Sequence, residues 1–133
     1  MFGYVAGLPA FLAYFVFGLV LYGLFTWVYT ALTPHKEITL IRAGNPAAVV
    51  AFLGAILGFS LPLSSAAANS VSLVDFLIWA VIGALAQILA FFVASKTMTR
   101  LHERITDGEI AAGIWGAGIA LSVGILNAAC MTY

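Results

Sequence analysis

The chain has 133 residues, of which 64% are hydrophobic and 8% charged, with a mean hydropathy of +1.13; an ordinary soluble domain is about 45–50% apolar and about 25% charged. This composition excludes a soluble globular domain. Five basic and five acidic residues balance to zero net charge, so there is no electrostatic footprint for nucleic acid and no charged tail.

The ten charged residues leave charge-free runs at 1–35, 43–74, 76–95 and 110–133, and a membrane-crossing helix needs about 20 apolar residues. An all-α integral membrane protein with four transmembrane helices is therefore expected. The first helix, from about Leu8 to Leu32, has no basic residue ahead of it and is longer than a signal-peptide core, so it is expected to be retained. Ten of the 18 aromatic residues lie within the first 30 positions, which makes this helix bulky and peripheral. Tyr4, Trp27 and Tyr29 near its ends suit the headgroup level. In the first connection, Pro34 to Arg42 with Ile38, Leu40 and Ile41 could form a short interfacial helix. Asn45-Pro46 then places a capping side chain before a proline at the first helical position, opening a second helix from Pro46 to about Ala68.

The third helix is expected from Val74 to Ala94. At its start Ser72-Leu73-Val74-Asp75 reads as a cap with an acid at a helix N-terminus, in preference to a transporter carboxylate. Thr106-Asp107-Gly108-Glu109 has the Thr-x-x-Glu spacing of a capping box, which predicts a fourth helix from Gly108 to about Met131. Cys130, the single cysteine, excludes an internal disulfide and a cysteine metal cage and reads as a small packing residue.

Lys36 and Arg42 lie in the first connection, and Lys96, Arg100 and Arg104 in the third; the second connection and both ends have no Lys or Arg. The positive-inside rule then places these two loops, with His35 in the first, in the cytoplasm and both termini outside. So strong an asymmetry argues against dual topology. A shift of 65 pairs Phe11 with Phe76, Tyr14 with Trp79 and Gly18 with Gly83, and a shift of 64 pairs Ile41 with Ile105, Gly44 with Gly108 and Gly54 with Gly118. The chain thus reads as two pseudo-repeated parallel hairpins, residues 1–70 and 71–133, with any symmetry axis along the membrane normal.

Thr33-Pro34-His35, Asn45-x-Ala47-Ala48, Gly54-x-x-x-Gly58-Phe59-x-x-Pro62-Leu63-Ser64-Ser65-Ala66-Ala67 and the ending Asn127-Ala128-Ala129-Cys130-Met131-Thr132 carry a resemblance over nearly the whole chain. With these motifs it resembles the YjfL-type bacterial inner-membrane proteins, built from two copies of domain of unknown function 350. The resemblance implies an inner-membrane location and a paired-hairpin fold, and brings no established activity. Genes of the family often neighbour membrane-stress proteins of the phage-shock type, which implies a peripheral cytoplasmic partner.

Three residue sets are candidates for function. The first is the small-residue faces: Gly54, Gly58, Pro62 and Ala66 on the second helix, and Ala112, Gly116, Ala120, Gly124 and Ala128 on the fourth. Small residues let membrane helices approach closely, so these two helices are expected to form the packed centre or the seam of a homo-oligomer. The second is polar. Pro62 frees the Gly58 carbonyl one turn earlier, and a broken helix there could line a cavity with Ser60, Ser64, Ser65, Gln87 and Asn127; the plainer reading is a proline kink tolerated by local serines. The third is the cytoplasmic set His35, Lys36, Arg42, Lys96, Arg100 and Arg104, which could recruit a partner or simply orient the chain against lipid phosphates.

No ionisable residue falls well inside a span, which disfavours proton-coupled transport. The two histidines have no ligand set at metal spacing, and the serines have no base and orienting acid. Neither an enzyme nor a metal or other cofactor is expected. Two readings remain: a non-enzymatic envelope or membrane-stress component that recruits a peripheral partner, and an oligomeric channel or passive transporter around the proline kink.

Overall fold

A computed structural model describes residues 3–33 and 37–131, with side chains for 6–33 and 38–131. Pro34, His35 and Lys36, and the side chain of Tyr4, lie outside the described residues. Among the described residues six helices follow one another: α1 (Gly3–Leu32), α2 (Glu37–Arg42), α3 (Pro46–Asn69), α4 (Leu73–Thr97), α5 (Leu101–Thr106) and α6 (Ile110–Cys130). Four of them, over Ala6–Leu32, Pro46–Asn69, Leu73–Thr97 and Ile110–Cys130, are long and apolar enough to cross a membrane.

The ends of these helices follow local chemistry. Asn45 caps α3 by accepting the Ala48 N–H at 3.0 Å, with Pro46 at the first position. Ser72 accepts the Asp75 N–H at 3.1 Å while the Asp75 carboxylate accepts the Val71 N–H at 3.2 Å, closing the start of α4 reciprocally. At its other end α4 runs past Ala94 to Thr97. The Thr97 hydroxyl donates back to Val93 and Ala94, and Lys96 suits the negative pole of the helix.

The Thr106-x-x-Glu109 segment is not a capping box. Gly108 has φ +81°, outside the helical region, and with Glu109 it closes α5 through Gly108 N–Ile105 O (2.9 Å) and Glu109 N–Arg104 O (3.0 Å). This is a Schellman ending. Thr106 accordingly ends a helix, its hydroxyl donating to His102 O, and α6 begins at Ile110, beyond the predicted Gly108. Gly44 (φ +84°) ends α2 in the same way, through Gly44 N–Ile41 O and Asn45 N–Leu40 O.

α3 and α6 form the centre. Contacts between Ala47 and Gly113, Gly54 and Ala117, Gly58 and Gly124, and Ser65 and Ala128 climb both helices together, so the two run parallel. Their backbones nearly touch. A Cβ on Gly124 would fall 2.2 Å from the Gly58 oxygen, and one on Gly113 would fall 2.4 Å from the Ala47 oxygen.

The buried residues of α6 are Ala112, Gly113, Ala117, Ala120 and Gly124. The strict four-residue stripe is thereby corrected: Gly116 and Ala128 are only half-buried, and Gly113 and Ala117, which the stripe omits, join Gly124 in the closest contacts. At 3.6 residues per turn each four-residue step drifts by about 40°, so a straight seam must alternate threes and fours.

α4 packs antiparallel to α6, with Gln87 beside Ala120 and Gly83 beside Asn127. α1 docks from outside through one aromatic stripe. Phe25 stacks on Phe59 with centroids 4.4 Å apart, and Tyr29 meets Phe52 and Phe91. Trp27 is 70% exposed, as an interfacial ring would be, but Tyr29 is 7% exposed and belongs to the core. Residues 21, 25 and 29 repeat at helical spacing and all turn inward.

Candidate functional site

The polar residues around Pro62 do not converge on one cavity. α3 passes through Pro62 as a continuous helix, so no break exists to be lined. The Ser60 hydroxyl donates to Ile56 O at 2.8 Å and accepts from the Tyr22 hydroxyl. Ser64 is exposed in a groove of about 300 Å³ between α1 and α3, walled mainly by Phe11, Tyr14, Leu19 and Phe76. Ser65 turns the other way and donates to Ala128 O at 3.3 Å. Successive residues on a helix are about 100° apart, so Ser60 and Ser64, four apart, share the face toward α1 and both line this groove, whereas Ser65 falls on a different face; the Ser60 and Ser65 hydroxyls answer backbone carbonyls.

Pro62, Gln87 and Asn127 lie on the α3–α4–α6 side instead. A Cβ on Gly83 would meet the Pro62 ring at 3.0 Å and the Asn127 Oδ1 at 3.7 Å. The Gly58 carbonyl, which Pro62 cannot serve with an N–H, is covered by Gly124. Gln87 Nε2 donates to Ala120 O at 3.1 Å, and Gln87 Oε1 and Asn127 Oδ1 are buried without a hydrogen-bond partner. Packing and polar residues are thus interleaved in one seam, which periodicity alone did not reveal.

The second candidate surface is the charged end. α2 and α5 are short amphipathic helices held against the bundle: Leu101 and Ile105 are buried among Ala47, Ala48, Ala51, Ala94 and Ala112, with Leu40 and Ile41 packed alongside. Asn45 locks this layer. While its Oδ1 caps α3, its Nδ2 donates to Ile105 O at 2.9 Å and Thr106 O at 3.0 Å. This role across the two halves was missed, because Asn-Pro signals only the local cap.

Charged side chains crown this layer. Arg104 forks onto the Glu109 carboxylate, and Arg100, itself in the left-handed region at φ +59°, pairs with Glu103 at 2.6 Å. Arg42 and Lys96 are exposed beside them. Arg100, His102, Glu103, Thr106 and Asp107 wall an open hollow of about 250 Å³. The predicted His35 and Lys36 of this set fall outside the described residues. Among the described residues no group of three His, Cys, Asp or Glu could hold a metal ion.

Hydrogen bonds from Arg100 and Arg104, seconded by their charge, hold the Glu103 and Glu109 carboxyls below the usual carboxylate range. A carboxyl with a lowered folded pKa contributes stability above its unfolded value, about 4.3, and loses it as pH falls through the folded one. The arginines are raised by the same bonds, so their share is complete below the unfolded arginine range. Acid alone therefore weakens this end at accessible pH, and only slightly, because the pairs are solvent-exposed. In a thermal-melt series below about pH 5, Glu109→Gln is expected to show a shallower acid decline than wild type, with the difference shrinking in high salt.

A family model described as Domain of Unknown Function (DUF350) matches residues 3–131 as one unit spanning both hairpins. The UPF0719 inner membrane protein YjfL of Escherichia coli strain K12 and that of E. coli O157:H7 are each 44% identical to this chain over 126 residues, covering 95% of the chain and 96% of the relative. No solved structure matches the chain significantly.

Proposed function

The chain belongs to the DUF350 family, and from that premise we propose that it is a non-enzymatic multi-pass protein of the bacterial inner membrane, a component of an envelope or membrane-stress system that recruits a peripheral partner through α2 and α5. One observation carries this reading. Both charged connections fold as short helices on the same end of the bundle, and Asn45 ties one to the other. A loop whose only task is to orient the chain by charge has no need of a buried apolar underside such as Leu101 and Ile105 provide.

In this reading that end faces the cytoplasm, because it carries all the Lys and Arg among the described residues. Cys130, exposed at the opposite end of α6 and the chain's single cysteine, tests the orientation. An impermeant maleimide is expected to label it in cells whose outer membrane alone has been opened. Labelling only after the inner membrane is broken would reverse the assignment.

The matching Schellman endings at Gly44 and Gly108, and the parallel register of α3 and α6, support two repeated hairpins around an axis along the membrane normal. A homo-oligomer would use surfaces other than Gly58 and Gly124, which meet within one chain; the outward face of α6 with Ile114, Gly118 and Ser122 is free for it. The channel reading requires such an assembly, since the α3–α6 seam is closed by backbone contact.

Charge reversal at Arg42, Arg100 and Arg104 separates the two readings. It is expected to abolish co-purification of the partner and leave ion and water flux in liposomes at the level of protein-free vesicles. Flux well above that level, reduced by Ser64→Ala with Asn127→Ala, would favour the channel.

A further inference from the structure

Gln87 is 1% exposed in the middle of α4, and its amide is pressed against α3 and α6. A Cβ on Gly58 would fall 2.7 Å from Oε1 and 2.8 Å from Nε2, while Nε2 donates to the Ala120 carbonyl. The amide oxygen has no donor. Inside a membrane span no bulk water reaches it, and a buried acceptor without a donor is costly. Gln87 is also part of the wall of a narrow cavity beneath α5, lined among others by Tyr29, Ala51, Phe91, Ile105, Gly116 and Ala120.

The size and chemistry of this space restrict what it holds. It offers about 10 Å³ for the centre of a water molecule, close to the ~10–15 Å³ that one ordered water needs. Gln87 and Ala120 both line it; the Gln87 Oε1 lacks a donor, and the Ala120 carbonyl keeps a second lone pair after the Gln87 bond. Two acceptors call for a ligand that donates twice. A dehydrated metal cation takes about six oxygen ligands, and the wall is mostly apolar. We propose that Gln87 and the Ala120 carbonyl hold a single internal water that joins α4 to α6 directly beneath the charged end.

This inference is independent of any partner. Gln87 is the chain's sole glutamine, so selective 15N labelling of glutamine side chains gives one amide signal for the full-length protein in lipid nanodiscs. A water-to-amide transfer peak is expected at Gln87 in the wild type. It is expected to persist in Gly118→Ala, whose Cβ meets nothing within 4 Å, and to vanish in Gly116→Ala, whose Cβ enters the cavity wall 3.9 Å from the Ala51 Cβ. No peak in the wild type, or a peak that survives Gly116→Ala, would overturn the proposal. So would a shift of the Gln87 signal on titration with thallium(I) alone, which would make the ligand a cation.

Discussion

Gly124→Leu is expected to lower the stability of the folded bundle by about 3 kcal/mol or more, the upper range for overpacking a fixed interior. Its first added carbon would lie 2.2 Å from the Gly58 oxygen and 2.8 Å from the Gly58 carbonyl carbon and Cα. These are backbone atoms of a neighbouring helix, so no rotamer change can relieve the clash, and α3 and α6 must part. Parting them also uncovers the Gly58 carbonyl that Pro62 leaves without an N–H. Even Gly124→Ala introduces the same clash. Gly118→Ala, on the same helix with nothing within 4 Å, is expected to be neutral or to gain up to about 1 kcal/mol from helix propensity. Thermal unfolding of the three variants in one detergent checks the contrast; equal melting temperatures for Gly124→Ala and Gly118→Ala would show that the α3–α6 seam is not the close-packed centre.

Asn45→Ala is expected to cost about 2–3 kcal/mol, from a lost helix cap of about 1 kcal/mol and two hydrogen bonds of about 1 kcal/mol each. The effect has two separable parts. Asn45→Asp keeps the oxygen that accepts the Ala48 N–H but loses the Nδ2 donor and places an anion against the Ile105 and Thr106 carbonyls. Aspartate caps a helix as well as asparagine does. Hydrogen exchange is therefore expected to rise at residues 101–109 in both variants, and at the start of α3 in Asn45→Ala alone. Unchanged protection of α5 in Asn45→Asp would mean that the side chain is only a local cap.

The spans were legible in the sequence because charge-free runs of about 20 residues have one stable answer in lipid, an internally hydrogen-bonded helix. α3 begins at Pro46, where Asn-Pro signals it. What failed was chemistry decided by φ or by neighbours in space. Thr-x-x-Glu could not reveal that Gly108 takes a positive φ and closes the preceding helix. Four-residue spacing marked α6 as small-faced but overlooked Gly113 and Ala117, since the pattern drifts around the helix. Tyr29 looked interfacial by its position near a helix end, yet Phe52 and Phe91, distant in the chain, enclose it. The serines around Pro62 were grouped by proximity in sequence, and the helix keeps Ser60 and Ser64 on the α1 side while it turns Ser65 toward α6. Asn45 and Gln87, by contrast, act between helices, where a sequence without its fold gives no partner to read.

Recruitment by the charged end is tested most directly by a photo-crosslinking residue placed at His102 in living cells, beside the hollow walled by Arg100, Glu103 and Asp107. The account predicts one dominant adduct with the same peripheral protein, identified by mass spectrometry, and its loss when Arg100 and Arg104 are both changed to Glu in a chain that keeps its orientation. Adducts with lipid alone, or a protein adduct indifferent to those two arginines, would contradict it.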